Sequence, residues 1–312
     1  MENKKRTFLQ KVKRKLIYLY SMVFINLYKK IRAKRFVVEF LNKKSRVEYL
    51  DTNKELTAVQ NKIIEDLKRD GLAFAHLEDL FPKENKLIEI KSFVDKEFTN
   101  ASLGNNKKFL EFLWDNHPIL DLKSPVVSLA LTNKLIEIAN EYVGLFTRFT
   151  FFSVAKTVVL PKSNAQGSQR WHRDPSAGDT KMLKMFVYLN DVTDIGTGPF
   201  NFVKGTHKIG KWGKIFPEKP PEGCYPPEGA VEKSQIASGV TACLGRAGTI
   251  VFCDTTGIHK GGFSTKNSRE MITLYYVTPG SLQKPNFSFP SNFEEEAKKM
   301  SPLAQRTIKK VA

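Results

Sequence analysis

Two residue types that bind metal ions stand two positions apart in the run Trp171-His172-Arg173-Asp174. In a β-strand, residues i and i+2 point to the same face, so His172 and Asp174 can reach one ion. Two histidines and one carboxylate on one side of a metal leave its other positions open, which is the arrangement of non-haem Fe(II) oxygenases. The pair is weak evidence by itself, because chance and structural pairs are common. A third ligand has to come from elsewhere in the chain.

A second histidine with suitable surroundings is His259, in the run GIHKGG that follows a predicted strand at 249–254. Arg269 lies ten residues further on and enters another predicted strand, so an antiparallel hairpin can turn both side chains into one interior. A guanidinium binds a carboxylate through two parallel hydrogen bonds. Three metal ligands and such a clamp suit a 2-oxo dicarboxylic acid, with one end on the metal and the other anchored. The alternative for His259 alone is a structural histidine in a turn.

Several runs in a fixed order resemble the phytanoyl-CoA dioxygenase family. They are WHRD, KMFVYLNDVTDIGTGPFNFVKGTHK, AGTIVFCDTTGIHKGGFS and NSREM, and the upstream runs LKRDGLAF and LFP are similar to that family's N-terminal pattern. The resemblance covers roughly residues 56–280. It implies a double-stranded β-helix core, dependence on Fe(II) and 2-oxoglutarate, and hydroxylation of an organic substrate with O₂ as the usual activity.

The resemblance also implies roles for individual residues. His172 and Asp174 match the family's metal-binding triplet, and His259 matches its distal metal ligand. Arg269 matches the clamp for 2-oxoglutarate. Phe186 falls where the family often has an aromatic ring beside the cosubstrate.

The chain departs from the family pattern near the clamp. Gly261 stands where many relatives have Ser or Thr, two residues after the distal histidine, and the spacing from His259 to Arg269 is one residue shorter than in some members. These departures concern the position of the clamp rather than the metal ligands. The retained Asp174 favours hydroxylation or a related C–H oxidation, because halogenating relatives lack that carboxylate.

Hydrophobic periodicity divides the chain into helical and β-rich parts. Apolar residues recur at helical spacing over 54–70, 83–98 and 124–143. Short β-branched and aromatic runs separated by turn residues predict strands at 149–160, 182–189, 200–203, 249–253 and 271–277. This pattern is typical of an antiparallel barrel or sandwich. With the resemblance, the expected fold is α+β, with a jelly-roll or cupin-like double-stranded β-helix core flanked by N-terminal helices.

One segment between the predicted strands lacks periodicity. Residues 208–238 are rich in Lys, Gly, Pro and Glu, which is typical of a functional lid or a disordered insertion. His207, just before it, is expected to be structural. The predicted organisation is therefore a basic amphipathic arm at 1–50 and an oxygenase domain at 51–312. Within that domain, a helical lead-in at 51–148 precedes the β core at 149–280.

The formal net charge of +18 belongs mostly to the N-terminal arm. Residues 1–46 hold 15 Lys and Arg against two Glu, a balance of +13, while the rest of the chain has 35 basic and 30 acidic residues. Apolar residues recur there at helical spacing, namely Leu9, Val12, Leu16, Leu19 and Val23. The apolar stretch is shorter than the roughly 20 residues that cross a bilayer. It fits either a helix on an anionic membrane surface or a helix docked on the body.

The three cysteines, Cys224, Cys243 and Cys253, include no C-x-x-C pair. An odd and sparse set argues against a disulfide framework and predicts a reducing compartment. We therefore expect a cytoplasmic protein, with peripheral membrane association through the arm as the open question.

Two other functions fit parts of the sequence. One is a non-catalytic metal-binding barrel, whose arm would be the working part. The other is nucleic-acid binding through residues 1–46, which should weaken steeply with salt. The interleaved Leu, Ile and Val in that segment favour a lipid or protein partner over nucleic acid. An oxygenase would have O₂ and an organic substrate as its partners, and the sequence does not identify that substrate.

Overall fold

The computed structural model describes residues 20, 22–100, 109–114, 117–160, 165–176, 178–219 and 223–309. Residues 22–32 are helical. The helices that follow are α1 Arg35–Leu50, α2 Ala58–Asp70, α3 Leu77–Leu80, α4 Lys86–Asn100, α5 Pro125–Ala130, α6 Asn133–Val143, α7 Phe293–Ala297 and α8 Pro302–Thr307. The strands are β1 Leu72–His76, β2 Leu110–Phe112, β3 Arg148–Thr157, β4 Leu183–Tyr188, β5 Phe200–Val203, β6 Val240–Cys243, β7 Thr249–Cys253, β8 His259–Lys260 and β9 Glu270–Val277.

Helix α2 shows how local sequence sets the helix ends. Thr57 and Gln60 form a capping box at its start, in which each side chain accepts a hydrogen bond from the other's backbone N–H. Gly71 ends the helix with a φ of 71°, a left-handed conformation that glycine adopts without steric cost. A Cβ at Gly71 would also lie 2.6 Å from Nδ1 of His207, so the close packing here requires glycine.

The single helix predicted over 124–143 is in fact two, and that prediction was wrong in this respect. Leu131 and Thr132 separate α5 from α6, and Thr132 has an extended backbone with a ψ of 139°. The Thr132 hydroxyl donates to the Leu129 carbonyl at 2.8 Å, which satisfies an acceptor at the end of α5. Apolar residues keep their helical spacing through Leu131 and Thr132, so the hydrophobic pattern did not indicate that the helix is interrupted there.

The strands form two antiparallel sheets. One sheet has six strands in the order β1-β7-β4-β9-β3-β2, and the other has three in the order β6-β5-β8. Every strand predicted from the sequence is present, with ends that differ by no more than three residues. The α+β class and the antiparallel sheets are thus confirmed.

Alternation along β4 joins two hydrophobic clusters. Met185 and Val187 face the main core, where the helices pack on the six-stranded sheet. Phe186 and Tyr188 face the opposite way and pack against Phe200 and other residues of the small sheet. The two sheets therefore pack face to face, and the functional residues described below lie around this second cluster.

The N-terminal arm falls partly outside the described residues, and the predicted apolar residues Leu9, Val12, Leu16 and Leu19 lie there. Helix α1 packs on the body, with Val38 and Tyr49 buried. Within the ranges that the structure describes, no helix is both long enough and apolar enough to cross a membrane.

Candidate metal centre

His172, Asp174 and His259 come together in the structure. One potential ligand atom from each lies within 4.8 Å of the others. His172 and His259 are held side by side by a pair of backbone hydrogen bonds of 2.9 Å, donated in both directions. The Asp174 backbone N–H donates to the Thr255 carbonyl at 3.0 Å, which ties the triplet to the loop before His259. Among the described residues, this is the one such cluster of His, Cys, Asp or Glu.

Hydrogen bonds to backbone carbonyls fix which nitrogen of each histidine faces the carboxylate. Nδ1 of His172 lies 2.8 Å from the Arg170 carbonyl, and Nδ1 of His259 lies 2.9 Å from the Gly257 carbonyl. A carbonyl only accepts, so each Nδ1 carries the hydrogen and each Nε2 keeps its lone pair. Both Nε2 atoms lie 3.6 Å from an oxygen of Asp174.

This donor set fits a divalent cation. Two imidazole lone pairs and a carboxylate converge on one space, and acceptors facing one another are stabilised by a positive charge between them. Burial, and then the neighbouring His172, lower the pKa of His259 to about 3. The imidazole of His259 is therefore neutral at ordinary pH, which is the form that binds metal.

The sequence did not reveal that Lys184 contacts this centre. Its Nζ lies 2.6 Å from Oδ2 of Asp174 and 4.9 Å from the centre of the Tyr275 ring. Burial raises the pKa of Asp174, but the positive charge of Lys184 opposes this, and that pKa lies well below its usual range. Asp174 is thus a carboxylate at ordinary pH.

Arg269 is buried beneath the small sheet. One of its Nη atoms donates to the Gly198 carbonyl, while its Nε is buried and has no hydrogen-bond partner. No carboxylate within the described residues forms an ion pair with it, and burial lowers the pKa of its guanidinium. A buried guanidinium with unused donors is costly unless a ligand supplies acceptors, so Arg269 fits the role of a clamp for a carboxylate.

Two aromatic rings of the second hydrophobic cluster lie near His259. The Phe200 ring centre is 5.4 Å from that of His259 and 4.6 Å from that of Phe186. Phe186 is buried and belongs to the second hydrophobic cluster. Gly198, which accepts from Arg269, is two residues before Phe200, so Phe200 connects the metal ligands with the clamp.

Arg173, between the two ligands of the triplet, anchors the segment 208–238. Its Nε donates to the Phe216 carbonyl at 3.0 Å and its Nη2 to the Ile215 carbonyl at 2.8 Å. Its Nη1 donates to the carbonyls of Thr206 and Thr256. Burial lowers the pKa of Arg173 to about 10. Residues 215 and 216 of the segment are therefore tied directly to the stretch His172–Asp174, which lies outside the strands and forms only isolated bridges to His259 and Cys224.

A cavity of about 550 Å³ is lined in part by residues that flank His172 and His259 in the chain. Its lining includes Gln169, Arg170, Trp171, Pro227, Glu232 and Lys260. The Trp171 ring N–H donates to Glu232 at 2.7 Å, so the later part of segment 208–238 contacts the residue that directly precedes the His-x-Asp triplet. Half-exposed Tyr225 stacks on His172, with ring centres 5.5 Å apart. The guanidinium carbon of Arg170 lies 5.4 Å from the centre of the same Tyr225 ring.

His207 is fully buried against Gly71 and Gly210 and is not part of the metal cluster. Sequence reasoning missed Lys184, Arg173 and Tyr225. A lysine inside the apolar strand β4 was the available signal for Lys184. Alternation in an extended segment places the Arg173 side chain opposite those of His172 and Asp174, so this pattern did not predict its contacts.

Comparison with known proteins identifies the fold. No family model matches the chain, and no curated protein matches its sequence. The structure is similar to that of the epimerase SnoN in complex with Fe3+, alpha ketoglutarate and nogalamycin RO. The TM-score is 0.54 at 16% identity, over 73% of this chain and 87% of that chain. It is also similar to EctD from S. alaskensis with bound Fe, with a TM-score of 0.52 at 18% identity, over 78% of this chain and 84% of that chain.

These likenesses define the class of fold. SnoN is described as a non-heme alpha ketoglutarate dependent epimerase. The chain therefore has the fold of non-haem iron, 2-oxoglutarate-dependent oxygenases. The resemblance to the phytanoyl-CoA dioxygenase family is confirmed at the level of the fold. SnoN contains the metal and the cosubstrate that the sequence predicts for this chain.

Proposed function

We propose that this protein is an Fe(II)- and 2-oxoglutarate-dependent dioxygenase that hydroxylates a small-molecule or lipid-linked substrate. The observation that carries the proposal is the convergence of His172, Asp174 and His259 on one space, with both imidazoles presenting Nε2. In this proposal the two facing sheets form a double-stranded β-helix, and residues 51–312 are the oxygenase domain. The protein would act in the cytoplasm.

Iron held by this triad would supply the oxidation chemistry: O₂, 2-oxoglutarate and substrate give succinate, CO₂ and a hydroxylated product. Arg269 would bind the distal carboxylate of 2-oxoglutarate, because its guanidinium is buried, has an unpartnered Nε and meets no protein carboxylate among the described residues. Phe186 and Phe200 would form the apolar wall beside the cosubstrate. The protein's part is to position these groups and exclude water.

The cavity beside Trp171 is the proposed substrate site. Trp171 on its wall directly precedes His172 and Lys260 directly follows His259, so the cavity wall and two of the proposed metal ligands share the same short segments of the chain. Segment 208–238 would act as its lid, since Tyr225 stacks on His172 and Glu232 bonds to Trp171. Hydroxylation is supported over halogenation by Asp174, a carboxylate ligand that leaves no vacancy for a halide at that position.

The test measures 2-oxoglutarate binding and succinate formation with the same preparation of protein. The full-length protein with Fe(II) should bind 2-oxoglutarate without O₂, giving the visible absorption band of an iron-bound 2-oxo acid. Adding O₂ should produce succinate, and Zn(II) should not replace Fe(II). Screening substrates for a product heavier by one oxygen atom then separates hydroxylation from epimerisation or ring closure. Tight metal binding with neither the band nor succinate would instead establish a non-catalytic metal-binding module.

A further inference from the structure

Helix α1 has one face that packs on the body and an opposite face that is exposed. Val38, Asn42, Ser45 and Tyr49 recur at spacings of four, three and four residues and are buried. Asn42 accepts from the Gly280 backbone N–H at 2.6 Å, and Tyr49 donates to Glu141 at 2.8 Å. This inner face fixes the helix on the body.

The outer face of α1 carries large apolar side chains in solvent. Phe36, Phe40 and Val47 follow the same spacing as the buried residues but start two residues earlier, which is roughly half a turn around the helix. They are 72%, 76% and 51% exposed, and Leu50 at the end of the helix is 65% exposed. Exposed rings of this size, side by side on a rigid element, mark an interaction surface.

The preceding helical residues 22–32 add further large apolar side chains that are exposed. Val23 and Phe24 are each 64% exposed, and Leu27, Tyr28 and Ile31 are between 51% and 58% exposed. We call these residues, together with Phe36, Phe40, Val47 and Leu50, the outer apolar face.

Basic residues surround the outer apolar face. Between residues 20 and 50 there are eight Lys and Arg against Glu39 and Glu48, and Glu39 is already paired with Arg46 at 2.8 Å. Lys43 lies on the same side of α1 as Phe40 and Val47, and Lys44 is 88% exposed. A partner for this surface must therefore be both apolar and anionic.

We propose that the outer apolar face docks on an anionic lipid membrane, with its rings in the interface and its lysines on the headgroups. Lys and Arg side chains near such a surface are attracted to its anionic headgroups, and apolar burial adds stabilisation that salt does not screen. A second copy of this chain fits poorly, because residues 1–46 would bring +13 against +13. Nucleic acid would use the lysines but would leave the outward Phe36 and Phe40 in water.

The start of α1 and the residue Ala33 before it pack against the loop that follows Asp174. A Cβ on Gly178, four residues after Asp174, would meet the Ala33 carbonyl at 2.6 Å and the Val38 side chain at 2.7 Å. Arg32 donates to the Gly280 carbonyl at 2.7 Å from the same side. Membrane docking through α1 would therefore bring the loop that follows the metal ligands close to the lipid surface.

The test is sedimentation of the full-length protein with vesicles of phosphatidylcholine plus phosphatidylserine, compared with phosphatidylcholine alone. Phe36→Ser with Phe40→Ser should lower partitioning onto the anionic vesicles at least about tenfold, since each ring loses its burial in lipid. Lys43→Gln with Lys44→Gln should lower it by a smaller factor. The matched control is Ile88→Ser with Ile195→Ser, which removes apolar side chains that are 67% and 62% exposed elsewhere.

All substituted side chains are exposed, so circular dichroism and Fe(II) binding should match the parent protein and verify folding. Raised salt should weaken vesicle binding without abolishing it. The proposal is overturned if the Phe variant sediments like the parent, or if both vesicle types bind equally. It is also overturned if the intact face forms a dimer, or if duplex DNA competes fully with the anionic vesicles. These readouts need no turnover, so they stand apart from the proposed oxygenase activity.

Discussion

Nζ of Lys184 lies 2.6 Å from Oδ2 of Asp174, in the same space that the Nε2 atoms of His172 and His259 face. The lysine holds one carboxylate oxygen, so the carboxylate is oriented before any metal binds. It also places a positive charge beside a site for a divalent cation. These two effects on metal affinity oppose each other, and we expect the orientation of the carboxylate to be the larger effect.

We therefore predict that Lys184→Met weakens Fe(II) binding. Loss of a partner that orients a metal ligand typically costs about 10–100-fold in affinity. The lower end is expected here, because removing the lysine also removes charge repulsion with the metal. Anaerobic equilibrium dialysis of Fe(II) against both proteins measures the change. Lys184→Gln keeps a donor to Asp174 and should recover part of the affinity. Tighter Fe(II) binding in Lys184→Met would mean that repulsion is the larger effect.

The three ligands should each be required for metal binding. His172→Ala, Asp174→Ala and His259→Ala each remove one of the converging atoms, and each should weaken Fe(II) binding by more than about 100-fold, beyond the effect of an outer partner. The fold should persist in all three, because backbone hydrogen bonds hold these segments. Dialysis and circular dichroism provide the two readouts. Exposed His117→Ala is the control, and parental affinity in His259→Ala would exclude His259 as a ligand.

Arg269 should control the affinity for 2-oxoglutarate rather than for iron. Removing a buried guanidinium that pairs with a carboxylate typically costs about 2–5 kcal/mol. Arg269→Ala should therefore raise the apparent constant for 2-oxoglutarate by an order of magnitude or more, with Fe(II) affinity little changed. Titration of the iron-bound 2-oxo acid absorption measures this directly. Arg269→Lys keeps the charge but loses the planar fork, so an intermediate constant is expected. An unchanged constant in the Ala variant would move the clamp to another residue.

The sequence predicted that His172, Asp174 and His259 lie together, and the structure brings them together. The His-x-Asp spacing alone was weak evidence, and the prediction depended on the order of several motifs along the chain. Most strands were predicted from a local signal, since β4 and β9 are apolar runs bounded by turn residues. Short strands such as β2 and β8 lack enough residues to show a period.

Contacts that depend on register and loop path could not be predicted in this way. Lys184 reaches Asp174 only because β4 pairs between β7 and β9, a fact of sheet order that no residue in β4 encodes. Arg173 bonds to Ile215 and Phe216, more than 40 residues away in a segment without periodicity. Whether the N-terminal arm packs on the body was likewise left open, because apolar residues at helical spacing fit a docked helix as well as a membrane-bound one.

The bonds of Arg173 lead to a prediction about segment 208–238. Arg173→Lys cannot reach the four carbonyls that the guanidinium satisfies, and unsatisfied buried carbonyls are costly. Hydrogen exchange should therefore become faster across residues 208–219, as measured by mass spectrometry of peptides. Exposed Arg170→Lys, three residues earlier, is the control and should leave that exchange unchanged. Equal exchange in parent and Arg173→Lys would show that the segment is held by other contacts.

Asp179 should make the stability of the protein depend on pH. Burial raises its pKa to about 7 from an ordinary value of 3.8. One of its oxygens accepts from Thr278 at 2.5 Å, and the other is buried without a partner. Between pH 3.8 and about 7 the folded protein thus holds a proton on Asp179 that the unfolded chain has lost. This contribution to stability is fully present below the unfolded pKa and is lost as pH rises through the folded one.

Asp179→Asn removes this proton from both states and keeps an acceptor for Thr278. The free energy of unfolding of the variant should therefore rise relative to that of the parent as pH increases from about 4 to about 7, and the difference should level off above that range. Urea unfolding of both proteins with excess chelator, at several pH values from about 5 to about 8, measures the difference. Asp95→Asn, at an exposed position on α4, is the control for the loss of one acidic group. A difference that stays constant over this range would mean that Asp179 is ionised throughout in the folded protein.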